Sequence, residues 1–202
     1  MNFSETWQTW MRALTSPNEA TFEAERQKSS ATLTTALIWM VIAGLVVGVL
    51  GFIQSLMMAG AMQGAIPQIL EQADLPPDVE AQLAPVFSSG LLGGMGAAGL
   101  SSIITVPIGF LIGVGILWLV ARLLGGSGEY GRYAYLNATY TAPLTILSAL
   151  LGVVPILGCI SIVLYIYQLV LTYYVTKVEH QLSSGRALIV VLTPVIFVLL
   201  LV

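Results

Sequence analysis

Asn137 and Tyr140 stand in the stretch GEYGRYAYLNATYTAP, residues 128–143, beside Pro143. An amide and a phenol can hold a partner by hydrogen bonds, and neither can act alone as a nucleophile or a general base at neutral pH. Further along, Gln168 is the deepest strongly polar side chain of an apolar run, with Tyr165 and Tyr167 close by. An unpaired amide costs several kcal/mol in hydrocarbon. Gln168 is therefore expected to face other helices, with Thr139, Thr141, Thr145 and Ser148 as candidate partners. Two readings of Tyr165 and Gln168 follow, a small polar cleft or a hydrogen-bonded helix contact of about 1 kcal/mol, and the contact is favoured.

Other chemistry is sparse. The lone His180, in VEHQLSSGR, reads as a solvated loop residue, and a single His makes no metal site. The single Cys159 excludes an internal disulfide and reads as a small packed residue. Asp74, Asp78 and Glu80 form an acidic cap without the Gly-turned ligand spacing of a calcium loop. No phosphate-cradling loop and no basic nucleic-acid patch is present. The expectation is a chain with no catalytic residue, no metal and no cofactor, which is not an enzyme and binds no nucleic acid.

The elements that must position these side chains follow from composition. Apolar residues make up 57% and charged residues 8% of 202, and the mean hydropathy is +0.90. A soluble domain carries about 25% charged residues. The bilayer must therefore be the main solvent of this chain. The windows 29–70, 81–121, 133–176 and 187–202 hold no Asp, Glu, Lys or Arg. A spanning helix needs about 20 apolar residues. The windows accommodate five spans, at about 33–57, 100–121, 134–153, 156–176 and 186–202, with a tight turn at GVVPILG, residues 152–158. Lys and Arg accumulate on the cytoplasmic side. All seven here fall in the N-terminal segment and the loops 122–133 and 177–186, while the loop 58–86 has none. The fold class expected is an all-α integral membrane protein of five transmembrane helices. Its N-terminus would be cytoplasmic and its C-terminus outside, with residues 1–30 as a cytoplasmic N-terminal part and 31–202 as the membrane domain.

The absence of a basic segment, short apolar core and cleavage site at the N-terminus argues against a secretory signal. Phe3, Trp7, Trp10, Met11 and Leu14 recur at helical spacing, with polar residues opposite. Such a helix either lies in the interface, with Trp7 and Trp10 as anchors, or packs on the bundle. SPNE, residues 16–19, reads as a capping box with Ser16 as N-cap. The loop 58–86 reads as short helical pieces broken at Gly60, Gly64 and Pro67. Small residues let membrane helices approach closely. Gly44 with Gly48, Gly90 with Gly94, and Gly109 with Gly113 each form GxxxG. Internal packing is favoured over an oligomer interface. Pro107, Pro143 and Pro194 each free a backbone carbonyl within a span. Tyr130, Tyr133 and Tyr135 read as an aromatic belt at headgroup depth. That leaves Asn137 and Tyr140 as the unexplained pair.

Three segments carry a resemblance. TSPNEATF, before the first span, is similar to the short, proline-containing lead-in of the Yip1 family of five-span membrane proteins. GEYGRYAYLNATYTAPLTILSALLGVVP resembles that family's aromatic approach to its third span, with Tyr140 and Pro143 as a Tyr-x-x-Pro step. YYVTKVEHQLSSGRALIV resembles its connection between the fourth and fifth spans. The similarity covers roughly residues 16–202. Eukaryotic members carry an acidic-aromatic motif before the first span, linked to Rab GTPases, and this chain has none. It therefore resembles the prokaryotic branch, which places it in the cytoplasmic (inner) membrane. The resemblance implies a non-enzymatic membrane organiser or scaffold, with the lipid bilayer, other membrane proteins or copies of itself as partners. An accessory subunit of a respiratory or photosynthetic complex, and a passive channel or small-solute transporter, are the alternatives.

Overall fold

In a computed structural model, the described residues are 2–72, 77–154, 157 and 159–201, with side chains described outside 58–78, 80–100, 195 and 197–202. Seven helices make up the described chain. They are α1 (Phe3–Thr15), α2 (Glu19–Arg26), α3 (Leu33–Gln72), α4 (Pro77–Leu123), α5 (Tyr130–Gly152), α6 (Ile160–His180) and α7 (Ser184–Leu201). No strand occurs among the described residues.

Each short helix begins on an asparagine. The Asn2 side chain accepts from the Ser4 N–H at 3.1 Å, and Asn18 from the Thr21 N–H at 2.9 Å. The second cap corrects the reading of SPNE. Ser16 ends α1 instead of starting α2, and its carbonyl accepts from the Thr21 hydroxyl at 2.8 Å. Both Ser and Asn can cap, and here Asn18 has the extended backbone that the N-cap requires.

The helices α3 and α4, of 40 and 47 residues, form an antiparallel pair. At 1.5 Å per residue they run roughly 60 and 70 Å, about twice the thickness of a bilayer core. Backbone helix thus replaces the short broken pieces expected over much of 58–86. Asp74 lies outside the described residues, as do the side chains of Asp78 and Glu80. So do three positions of the expected turn at 152–158. The pair closes at Gly44, where a Cβ would meet the Ser102 carbonyl oxygen at 2.8 Å and the Ile103 Cα at 3.3 Å. The Ser102 hydroxyl donates to the Gly44 carbonyl at 3.0 Å. Gly48, one turn on, is also buried.

Three described helical stretches are long and apolar enough to cross a membrane: Leu33–Met57, Ser101–Leu123 and Ile160–His180. Ser184–Pro194, in α7, is apolar but shorter, and α5 is not among the three. The reason lies in what α5 carries. Every residue from Tyr133 to Tyr140 is buried, followed by Ala142 and Leu144, so this half of α5 is surrounded by protein. There its polar groups find partners. The outer faces of α3, α4 and α6 keep Val49, Leu56, Ile104, Ile112, Ile162 and Ile166 exposed, as lipid-facing surface would.

The N-terminal helices pack on the core. Trp10 is buried and meets Trp39 edge-on at 6.0 Å, and Phe22 meets Tyr140 at 6.4 Å. The Tyr167 hydroxyl donates to the Leu14 carbonyl, and Lys177 on α6 pairs with Glu19. Trp7 and Phe3 stay exposed. The two tryptophans of α1 are therefore separated by role, one in the core and one on the surface.

Candidate functional site

α5 and α6 share a buried polar seam. At one end His180 closes α6, with Gln181 following in the left-handed region at φ 52. The Gly128 N–H donates to His180 Nδ1 at 3.2 Å, and the imidazole meets the Tyr133 ring edge-on at 4.8 Å. Beside it, Glu179 accepts from the Glu129 N–H at 2.8 Å and from Arg132 Nε at 3.2 Å. His180 is 1% and Glu179 1% exposed. The reading of His180 as a solvated loop residue is thus corrected. The glycines of 125–128 let the loop fold down onto both side chains.

From there the seam runs along α5. The Tyr133 hydroxyl pairs with Thr176 Oγ1 at 2.8 Å. Asn137 Nδ2 donates to the Tyr133 carbonyl at 2.8 Å, which fixes the amide so that its Oδ1 faces Tyr140. The Tyr140 hydroxyl donates to that Oδ1 and lies 2.8 Å from Thr172 Oγ1. Thr172 Oγ1 in turn reaches the Gln168 carbonyl at 2.8 Å. Two hydroxyl protons serve three contacts here, so Tyr140 and Thr172 share them. Tyr133 and Tyr135 belong to this buried set, the latter donating to Glu25 at 3.2 Å. They are 0% and 1% exposed. This corrects their assignment to an aromatic belt. Tyr130, whose hydroxyl donates to the Leu111 carbonyl at 3.1 Å, is half-buried, and so is Trp118 beside it.

At its far end the seam opens into a cleft of about 300 Å³ between α4, α5, α6 and α7. Asn137 and Tyr140 of α5, Tyr165, Gln168 and Thr172 of α6, and Gly109 with Gly113 of α4 line it. A Cβ at either glycine would meet nothing within 4 Å. This second GxxxG makes space instead of contact, unlike Gly44. Pro194 of α7 also borders the cleft. Pro143 does not, and is half-buried one turn beyond Tyr140. Gln168 and Tyr165 also line a second cleft, with Val47, Thr145, Ser148 and Ser161. The candidate threonines therefore divide. Thr141 lies with Gln168 in the first cleft, Thr145 in the second, and the Thr139 hydroxyl turns to its own Leu136 carbonyl at 2.7 Å.

Nothing in the sequence pointed to Thr172, Thr176 or Glu179, since serine-like and acidic residues near a helix end read as solvated. Cys159, expected to be packed, is exposed. Among the described residues no group of three His, Cys, Asp or Glu could hold a metal ion.

Helical, with three apolar stretches long enough to cross a bilayer and exposed aliphatic side chains along them, the described architecture is that of an integral membrane protein. The model of the Yip1 domain family matches residues 11–202, nearly the whole chain, and the chain belongs to that family. No curated protein and no solved structure matches it.

Proposed function

We propose that this Yip1 family member is a non-enzymatic organiser of its membrane, acting through protein or lipid contacts at the cleft between α4 and α7. Asn137, Tyr140, Tyr165 and Gln168 are its contact residues. Five spans with the N-terminus cytoplasmic and the C-terminus outside agree with the distribution of basic residues, and a prokaryotic inner membrane is its proposed location. The observation that supports the reading is the open pair Gly109 and Gly113 in a cleft that Gln168 also lines. Close approach of a partner helix needs small residues on one side, and a polar side chain on the other gives it an anchor.

The test is mild-detergent extraction of the full chain, followed by native electrophoresis. A homo-oligomer that dissociates on Gly109→Leu with Gly113→Leu is expected. A wild-type monomer, a stoichiometric cofactor-bearing assembly, or an oligomer indifferent to both leucines would overturn it. A reporter fused to the C-terminus and reading cytoplasmic would overturn the orientation.

A passive solute path is the second reading, supported by Gln168 and Tyr165 bordering clefts on two sides. Solute flux into liposomes that falls with Gln168→Leu would favour it over the organiser.

A further inference from the structure

On the other side of Tyr135, which borders it from α5, a polar cleft of about 530 Å³ is lined by α1, the link between α2 and α3, and the start of α3. Its chemistry is set by one carboxylate. Glu25 is 0% exposed. It accepts from Lys28 Nζ at 2.7 Å and from the Tyr135 hydroxyl at 3.2 Å, and Arg12 Nη1 stands 3.6 Å away. Two cations therefore converge on one buried anion. Their side chains keep 48% (Arg12) and 35% (Lys28) of their surface exposed, and both line the cleft. Against Glu25 alone one positive charge is left over, and Glu5 in the same lining balances it. Ser29 and Ser30 add hydroxyl groups beside it, and Glu5 lies on the exposed face of α1 at the rim.

Depth identifies the ligand class. The cleft begins at the polar residues 28–30 and reaches Trp39. The apolar span opens at Leu33, so Trp39 lies roughly 9 Å further along the helix. The cavity thus crosses from water into the first turns of the span. Phe3 and Trp7 project from the same α1 that forms its wall, 83% and 52% exposed, and exposed aromatic side chains of this kind suit a headgroup layer. A ligand suited to this place has an anionic group at the interface and an apolar remainder.

We infer that the cleft binds a glycerophospholipid headgroup, with its phosphate on Arg12 and Lys28 and an ammonium group, as in ethanolamine, on Glu5. Arginine's planar fork takes two phosphate oxygens, and Lys28 adds a point charge. Glu25 holds both cations in place and keeps the net charge low enough to prefer one phosphate over a polyanion. The site is separate from the Gly109–Gly113 cleft, so Gly109→Leu leaves it unchanged while testing the proposed function.

The experiment is native mass spectrometry of the full chain in detergent, with phosphatidylethanolamine or phosphatidylglycerol added. One retained phosphatidylethanolamine is expected. Arg12→Gln keeps the Lys28–Glu25 pair and should weaken retention about tenfold, the loss of one charge-assisted contact. Glu5→Gln, on an exposed side chain that the fold does not need, should turn the preference toward phosphatidylglycerol. Unchanged retention in Arg12→Gln, or unchanged preference in Glu5→Gln, overturns the inference. So does displacement of the lipid by millimolar inorganic phosphate, which would make the site one for free phosphate.

Discussion

Gly126 lies so close to His180 that a Cβ at position 126 would stand 2.6 Å from the imidazole Nδ1 and 2.8 Å from the Ala121 carbonyl oxygen. Gly128 is nearly as tight, with Glu179 Cγ and the imidazole at 2.9 Å. Alanine at either position must push the loop off the seam. A loss of about 1–3 kcal/mol is expected for each, as for other overpacked sites. Gly126→Ala should be the worse, because the Ala121 backbone cannot step aside as a side chain can. Thermal unfolding of the two variants in one detergent measures this, and an unchanged midpoint for Gly126→Ala would refute the packing.

The two GxxxG pairs should respond in opposite ways. At Gly44 a methyl group meets α4 backbone, so Gly44→Ala should cost about 1–3 kcal/mol. At Gly109 and Gly113 it meets open space, and alanine removes the flexibility of a helical glycine. There a gain of up to about 1 kcal/mol is expected. Unfolding of the monomeric protein in denaturing detergent compares them directly. Equal losses at Gly44 and Gly109 would mean that α4 packs on both faces.

That contrast marks what a sequence can carry. The apolar windows around Leu33–Met57, Ser101–Leu123 and Ile160–His180 were legible, because hydropathy depends on composition alone. A GxxxG pair is equally visible, yet its spacing does not say whether a neighbour is there. Tyr133 and His180 were misread for the same reason. A tyrosine before a span looks alike whether it faces headgroups or a helix. The partners that decide, Thr176 for Tyr133 and Gly128 for His180, lie 43 and 52 positions away in the chain. Asn137, Tyr140 and Gln168 stand out in the sequence as polar side chains beside or within apolar runs, and the structure joins Tyr140 to Asn137 by a hydrogen bond. Thr172, which links them, was invisible because a threonine within an apolar run satisfies itself through its own helix in most settings.

Glu25 should tether the N-terminal helices. Replacing it by alanine leaves Lys28 and Tyr135 without their acceptor. Breaking a fully buried pair costs about 3–5 kcal/mol. Here both cations are partly solvated, and a loss nearer 1–3 kcal/mol is expected. Trypsin should then cut faster after Arg12, Arg26 and Lys28. Glu25→Gln combined with Lys28→Met should restore part of the protection at Arg12 and Arg26, since the only charge then left without its partner is the half-exposed Arg12. Cleavage rates identical in wild type and Glu25→Ala would show that α1 and α2 hold on by packing alone.

The centre of the seam can be tested by a cycle. Tyr140→Phe removes the hydroxyl that Asn137 Oδ1 and Thr172 Oγ1 share, and leaves the buried Oδ1 without its donor. A loss of about 1–3 kcal/mol is expected, the cost of an unsatisfied buried acceptor. Thr172→Val alone should cost less, because Tyr140 still donates to Asn137. Together the two should cost clearly less than their sum, by about 0.5–1.5 kcal/mol, since the second change removes a contact already lost. Asn137→Leu added to Tyr140→Phe should recover stability, because it removes the orphaned acceptor itself. Unfolding midpoints of the variants in a single detergent provide every leg of the cycle. Strict additivity of Tyr140→Phe and Thr172→Val would mean that the hydroxyls do not meet, and that α5 and α6 are joined here by apolar packing.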